Sequence, residues 1–220
     1  MIVRDSFHKT VKEVQQFFPK LKANKRNGQT ESLTGELDIC GNDGEYWGTF
    51  TILIALPKGF PLSVPKVYEL SNKIKRLDDR HISANGECCL DMEHELLFLA
   101  CKGINLCEFI KTKVYPYFAN QIYYDCHGHY AGDEYKHHFD GIVQFYRERL
   151  GLKNTDMILR ILQSIIDNII PGRNQRCLCG SQKKLKDCHL KEIEFLKSIS
   201  QIRLKLDLIN FSNVVMNDNR

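Results

Sequence analysis

Residues 46–67 read YWGTFTILIALPKGFPLSVPKV, and the two halves of that stretch obey different rules. Tyr46 to Leu56 is rich in aromatic and β-branched residues, which fit a pleated, half-buried surface, so a strand is expected there. From Pro57 onward three prolines, at 57, 61 and 65, each remove a backbone donor, so that segment cannot pair centrally in a sheet. It is expected to be an extended crossing that delivers a further strand, Lys66–Leu70. Immediately upstream, SLTGELDIC (32–40) is separated from Tyr46 by GNDGE (41–45), a hairpin signal. Before it, Phe7, Val11, Val14 and Phe18 repeat at helical spacing after Asp5. That pattern predicts an amphipathic helix over 6–18, capped by Asp5 and ended by Pro19. The polar stretch KANKRNGQTE (22–31) reads as a loop.

Downstream of the crossing, a polar, basic connection leads to DDRHISANGECCLDM (78–92). Asn105 with Glu108 three residues later forms a capping-box-like start, predicting a helix to about Tyr117 that Pro116 kinks near its end. Residues 137–151 and 154–170 read as two further helices, and Pro171-Gly172 marks a boundary. LKEIEFLKSISQIRLKLDLI (190–209) reads as one terminal amphipathic helix, and no internal repeat is visible. Helix, strands, crossing, strand, cysteine loop, helices is the order of an α+β domain, with a short antiparallel sheet carrying helices on one side.

With 43% hydrophobic residues in 220, the chain can build a core without disulfides, and its length suits one full domain plus a smaller appendage. No apolar run approaches ~18 residues and the N-terminus lacks an apolar h-region, so neither a membrane span nor a signal peptide is expected. Nine cysteines without secretion signals point to a reducing, cytoplasmic compartment, where thiols bind metal, catalyse or lie buried. The net charge of +4 is uneven: Gly172–Arg220 holds ten Lys/Arg against five Asp/Glu. That tail suits an acidic partner or nucleic acid, or is a solvated basic surface around a small metal site.

The run from Tyr46 through the prolines to NGECCLD (85–91) resembles the heart of the ubiquitin-conjugating enzyme (UBC) fold. That family joins a Tyr/Gly/Phe strand to a P-x-x-[FY]-P-x-x-x-P-x-V crossing and then to N-G-x-[IL]-C-L-D. The match is close over about 45 residues and looser over residues 1–150. The resemblance implies a UBC-like conjugating domain over 1–150, a helical connector over 151–172 and a C-terminal module over 173–220. It also implies that Cys89 carries a thioester, with Cys88 in place of the usual apolar neighbour. Alternation along an extended segment puts Cys88 in the core and Cys89 outside. The family's H-P-N positions hold Asp79, Arg80 and His81, and its usual tryptophan after the cysteine is missing. His81 is therefore a candidate to donate to an oxyanion or to lower the thiol pKa by ion pairing, or else it braces the loop. Cys101, before a Lys-Gly turn and a helix start, is the second candidate nucleophile.

These departures, with the GDEYKHHFDGIVQFYRE extension (132–148), are closer to bacterial members of the superfamily. Such proteins are similar to the conjugating components of CBASS anti-phage operons. The resemblance implies acyl transfer, Cys89 accepting the C-terminal glycine of a partner protein, a cGAS-like nucleotidyltransferase, and passing it to an amine. The rival reading is a non-catalytic UBC-like binding module that docks a partner through its sheet and tail. A third treats His81 and Cys89 as a hydrolase dyad, for which the chain shows no third orienting group.

In GRNQRCLCGSQKKLKDCHL (172–190), Cys177, Cys179, Cys188 and His189 supply three thiolates and an imidazole, a closed tetrahedral set for structural Zn2+. The string closely resembles the SEC-C motif. A segment this short cannot bury a core, so metal ligation is its expected folding drive, and its expected role is to dock a protein in preference to nucleic acid. A softer cluster, Cys126, His127, His129, His137 and His138, has the spacing of no standard site.

Overall fold

A computed structural model describes residues 2–24, 31–132, 135–136 and 138–218, which form two compact units, Met1–Glu134 and Tyr135–Arg220. The first unit begins with helix α1 (Ile2–Phe17), which starts before Asp5, so that residue lies inside the first turn and is not the cap expected of it. Phe7, Val11 and Val14 form its buried stripe. Four strands follow as an antiparallel meander in the order β1 (Leu21–Asn24), β2 (Ser32–Cys40), β3 (Tyr46–Ala55), β4 (Lys66–Glu69). Strand β1 occupies the start of the segment read as a loop, and residues 25–30 lie outside the described residues. Four residues with one buried side chain, Leu21, carry too little alternation to be seen in sequence.

Strands β2 and β3 pair from Ser32↔Ala55 to Cys40↔Tyr46, with a bulge at Ile39/Cys40 beside the turn. The pairing sets Leu33, Leu37 and Ile39 on the same buried face as Phe50, Ile52 and Ile54. The proline crossing contains no strand, and β4 emerges from it to pair with β3.

Three helices then close the core. Helix α2 (Glu93–Lys102) has no counterpart in the sequence reading. Helix α3 (Leu106–Phe109) starts where expected, the Asn105 side chain accepting the Glu108 N–H at 2.9 Å. The helix does not end near Pro116: a π-turn, Ile110–Val114, passes it into α4 (Tyr115–His127). The widened turn shifts the ladder, so Pro116 enters at the first turn of α4, where its missing N–H costs little. Leu106, Phe109, Ile110, Val114 and Phe118 face the sheet's core, Phe118 at 4.7 Å from the Phe50 ring.

The second unit is helical: α5 (His138–Leu150), α6 (Thr155–Ile166), α7 (Leu190–Ser198) and α8 (Gln201–Asp218), with a cysteine knuckle between α6 and α7. The second compact unit begins at Tyr135, so it takes in α5, from the stretch 1–150 read as one domain, and α6, from the stretch 151–172 read as a connector, together with the knuckle. Buried Ile158, Ile161, Leu162 and Ile165 make the core stripe of α6, and Tyr146 packs edge-on to Phe211 of α8. The single terminal helix expected over 190–209 is broken at Ile199, which is extended and buried. The Ser198 hydroxyl donates to the Phe195 carbonyl, competing with helix continuation, and the Ser200 carbonyl accepts the Leu204 N–H as the first backbone bond of α8. Among the described residues no helix is long and apolar enough to cross a membrane.

Candidate functional site

Chain geometry from β4 onward presents the cysteine pair. Residues 81–89 double back as a narrow loop: Ser83 N–H donates to Glu87 O at 2.9 Å and Cys89 N–H to His81 O at 2.8 Å, with Ile82 and Cys88 bridged between them. Cys88 N–H also donates to Val67 O of β4, so the loop is stitched to the sheet. Gly86 turns it at φ 86°, and a Cβ there would lie 2.7 Å from the Glu69 carbonyl oxygen, so only glycine fits without a shift. Cys88 is buried against the core and Cys89 is exposed, the alternation expected of an extended pair.

Burial pushes the Cys88 thiol up to about 12. Cys89 is accessible, yet the surrounding loops still displace water from its sulfur. That desolvation raises the thiol above its ordinary value, and the carboxylates of Asp91 and Glu93 add to it. The shift is opposite to the lowering that ion pairing with His81 would produce. His81 stands in the left-handed region (φ 48°, ψ 42°), its backbone joined to Cys89 and its ring 5.8 Å from that of Tyr130.

Cys101 occupies the last turn of α2, exposed, its S–H donating to the Phe98 carbonyl at 3.0 Å. The helix N-terminus expected to favour a thiolate belongs to Asn105, beyond Gly103; Cys101 itself sits at the opposite, carbonyl-rich end of a helix. Of the softer cluster, His127 stacks on Tyr123 at 4.0 Å, and the His127 and His129 Nδ1 atoms lie 2.9 Å from the Tyr123 and Tyr130 carbonyls. His137 and the His138 side chain lie outside the described residues.

The knuckle brings all four of its candidate ligands together. Cys177 Sγ, Cys179 Sγ, Cys188 Sγ and a ring nitrogen of His189 lie within 4.8 Å of one another, the one such cluster of three or more ligand groups among the described residues. His189 Nδ1 is 3.3 Å from Cys177 Sγ and 3.1 Å from Cys188 Sγ, and Cys179 and Cys188 sulfurs are 3.5 Å apart. Tetrahedral ligation with metal–sulfur and metal–nitrogen bonds of about 2.3 and 2.0 Å needs edges of roughly 3.5–3.8 Å, so these three edges would lengthen by a few tenths around an ion. The other imidazole nitrogen, Nε2, donates to the Leu150 carbonyl at 2.6 Å, which leaves Nδ1 as the ligand atom. The cage folds through cross-strand bonds: Cys177 N–H to Lys183 O and Leu185 N–H to Gln175 O, both at 2.8 Å. Burial pushes the Cys177 thiol up to about 11, whereas at Cys179 burial is outweighed by the Ser181 hydroxyl and backbone N–H and by the neighbouring thiols, which hold it down at about 6.

Residues 173–191 match the SEC-C motif, and within them the Cys3His knuckle is a cluster that could hold a metal ion. No curated protein and no solved structure matches the chain. Sequence reasoning gave no contact role to Ser181, a residue at its usual place in the motif, or to Arg80, and it missed the Leu150 carbonyl by the knuckle and Gln121 under the cysteine loop. Ser181 has a local signal, two residues from Cys179; the other three make contacts 39 or more residues apart, which no local pattern records.

Proposed function

We propose that the first unit is a ubiquitin-conjugating-like acyl-transfer domain in which Cys89 carries a partner's C-terminal glycine as a thioester. The supporting observation is that Cys89 alone of the adjacent pair is exposed, at the edge of a loop stitched to β4, while Cys88 packs in the core. The N-terminal helix, four-stranded meander and proline crossing have the order that resemblance to that family implies. The glycine carboxyl must arrive activated; the Cys89 thiolate then displaces the activating group, and an incoming amine later displaces the thiolate. A bacterial anti-phage setting, with a cGAS-like nucleotidyltransferase as the carried protein and the cytoplasm as compartment, belongs to the same proposal. In the second unit the SEC-C knuckle holds Zn2+ structurally, since protein fills all four positions, and docks a protein partner.

The raised thiol favours a second reading, a binding module without catalysis. Intact-mass spectrometry after native co-expression with neighbouring genes separates the two. The carrier reading expects a protein-sized adduct that hydroxylamine removes and that Cys89→Ala, not Cys101→Ala, abolishes. Loss with Cys101→Ala alone moves the site, and adduct-free protein across all samples favours the binding module.

A further inference from the structure

Beneath the cysteine loop lies a buried polar cluster centred on Arg80 and Gln121. Arg80 is 5% exposed and Gln121 1%, each a side chain that is rarely buried unless paired. The Arg80 Nε–H donates to Gln121 Oε1 at 2.9 Å, Nη2 to the Gln121 carbonyl at 3.3 Å, and Nη1 pairs with Asp125 at 2.8 Å. Its guanidinium lies 4.4 Å over the Tyr124 ring. Three residues of α4, Gln121, Tyr124 and Asp125, thus grip one side chain of the loop from adjacent turns.

The grip is returned to the loop's backbone. Gln121 Nε2–H donates to the Arg80 carbonyl at 3.1 Å and to the Tyr130 hydroxyl at 3.1 Å. The Tyr130 hydroxyl donates in turn to the Asp79 carbonyl at 3.1 Å, and its ring meets that of His81. The Tyr117 hydroxyl lies 3.2 Å from the carbonyls of both Arg80 and His81. Three consecutive carbonyls, 79 to 81, are therefore fixed by side chains, and the third also accepts the Cys89 N–H. Left-handed backbone at a non-glycine residue is strained and persists where neighbours over-determine it, as they do at His81.

We infer that Arg80 is the positioning residue of the Cys89 site: its planar fork sets Gln121, and through it the Arg80 carbonyl and, by way of Tyr130, the Asp79 carbonyl, so that His81 and Cys89 stay paired. The inference rests on the carrier reading for its purpose, although its test does not. Asp125 is half exposed, and an ion pair open to water on one side contributes little net stability, so stabilising the fold gives a weak reason for this cluster and loop geometry a better one. Lysine would keep the charge and lose the fork.

The test is timed iodoacetamide labelling of the full chain, with fragment spectra resolving Cys88 from Cys89. Arg80→Met and Arg80→Lys should each raise Cys89 labelling about threefold or more as the loop admits water. Cys88 and Cys107 should stay protected and Cys101 and Cys126 unchanged. Tyr130→Phe, which drops one hydroxyl, should give a smaller rise in the same direction and decides the matter if the Arg80 variants fail to fold. Wild-type labelling in Arg80→Lys overturns the inference, as does opening of Cys88 and Cys107 together with Cys89, which would make Arg80 a general stability residue. Selective Cys89 opening in a protein whose wild type never forms the adduct leaves the clamp standing and removes the carrier reading; an adduct with unchanged labelling does the reverse.

Discussion

Cys88 and Cys89 share a peptide bond and face different surroundings. One is locked under Tyr117 and the core; the other stands at the loop edge with Asp91 and Glu93 nearby. Because desolvation and both carboxylates oppose the Cys89 thiolate, its alkylation at neutral pH should be slower than that of free cysteine. The rate should climb about tenfold per pH unit and keep climbing past the free-thiol value of ~8.5, where an unperturbed cysteine levels off. A profile that levels off below 8 would mean that a cation such as His81 governs the thiol instead. Gly86 belongs to the same loop. Gly86→Ala should lower stability by about 1–3 kcal/mol in urea titration, because the added methyl meets the Glu69 carbonyl in a left-handed turn.

Elements were legible where one residue pattern dominated. The hairpin 32–55 follows from β-branched alternation around GNDGE, and the Asn105 start from its cap. Helix α2 escaped because its apolar residues run together as LLFLA, and only His94 and Ala100 are fully buried, so no stripe stands out. The α7–α8 break was hidden because apolar spacing continues across Ile199, and Ser198, which interrupts it, acts through a side-chain bond. The knuckle was the most legible site, since four ligands lie within thirteen residues; the loop clamp was the least, since Arg80 and Gln121 are forty-one residues apart. Helix α8 depends on a similar long-range tie. Asp207, fully buried, pairs with Arg203 and accepts the Tyr146 hydroxyl of α5 at 2.8 Å. Asp207→Ala leaves a cation without its partner and should cost about 3–5 kcal/mol. Tyr146→Phe removes one hydrogen bond and should cost about 1–2 kcal/mol, both read as urea midpoints.

At the scale of the whole molecule, the two units draw their stability from different sources, and metal removal should separate them. The first unit has a continuous apolar core across α1, the sheet and α2–α4, with no candidate metal cluster among its described residues. In the second, the helices share a core of their own, whereas residues 173–189 bury little besides Cys177 and Leu185. Metal ligation in small fingers contributes on the order of 10 kcal/mol of folding free energy, far more than two buried side chains supply. Chelation should therefore remove amide-exchange protection from the knuckle first, at Cys177 and Leu185, whose N–H groups are bound across it. His189 extends the effect: with Nδ1 released, its ring no longer holds the Leu150 carbonyl, and the α5–α6 turn at 150–154 should loosen next. The amides of α6 and α8, packed on Ile161, Leu162 and Phe211, should keep most of their protection, and those of β2 and β3 all of it. Hydrogen-exchange mass spectrometry before and after chelation reads all four regions in one experiment. Uniform loss across Tyr135–Arg220 would show the metal to be the keystone of the whole helical unit, and no loss at the knuckle would show that it folds on its hydrogen bonds alone.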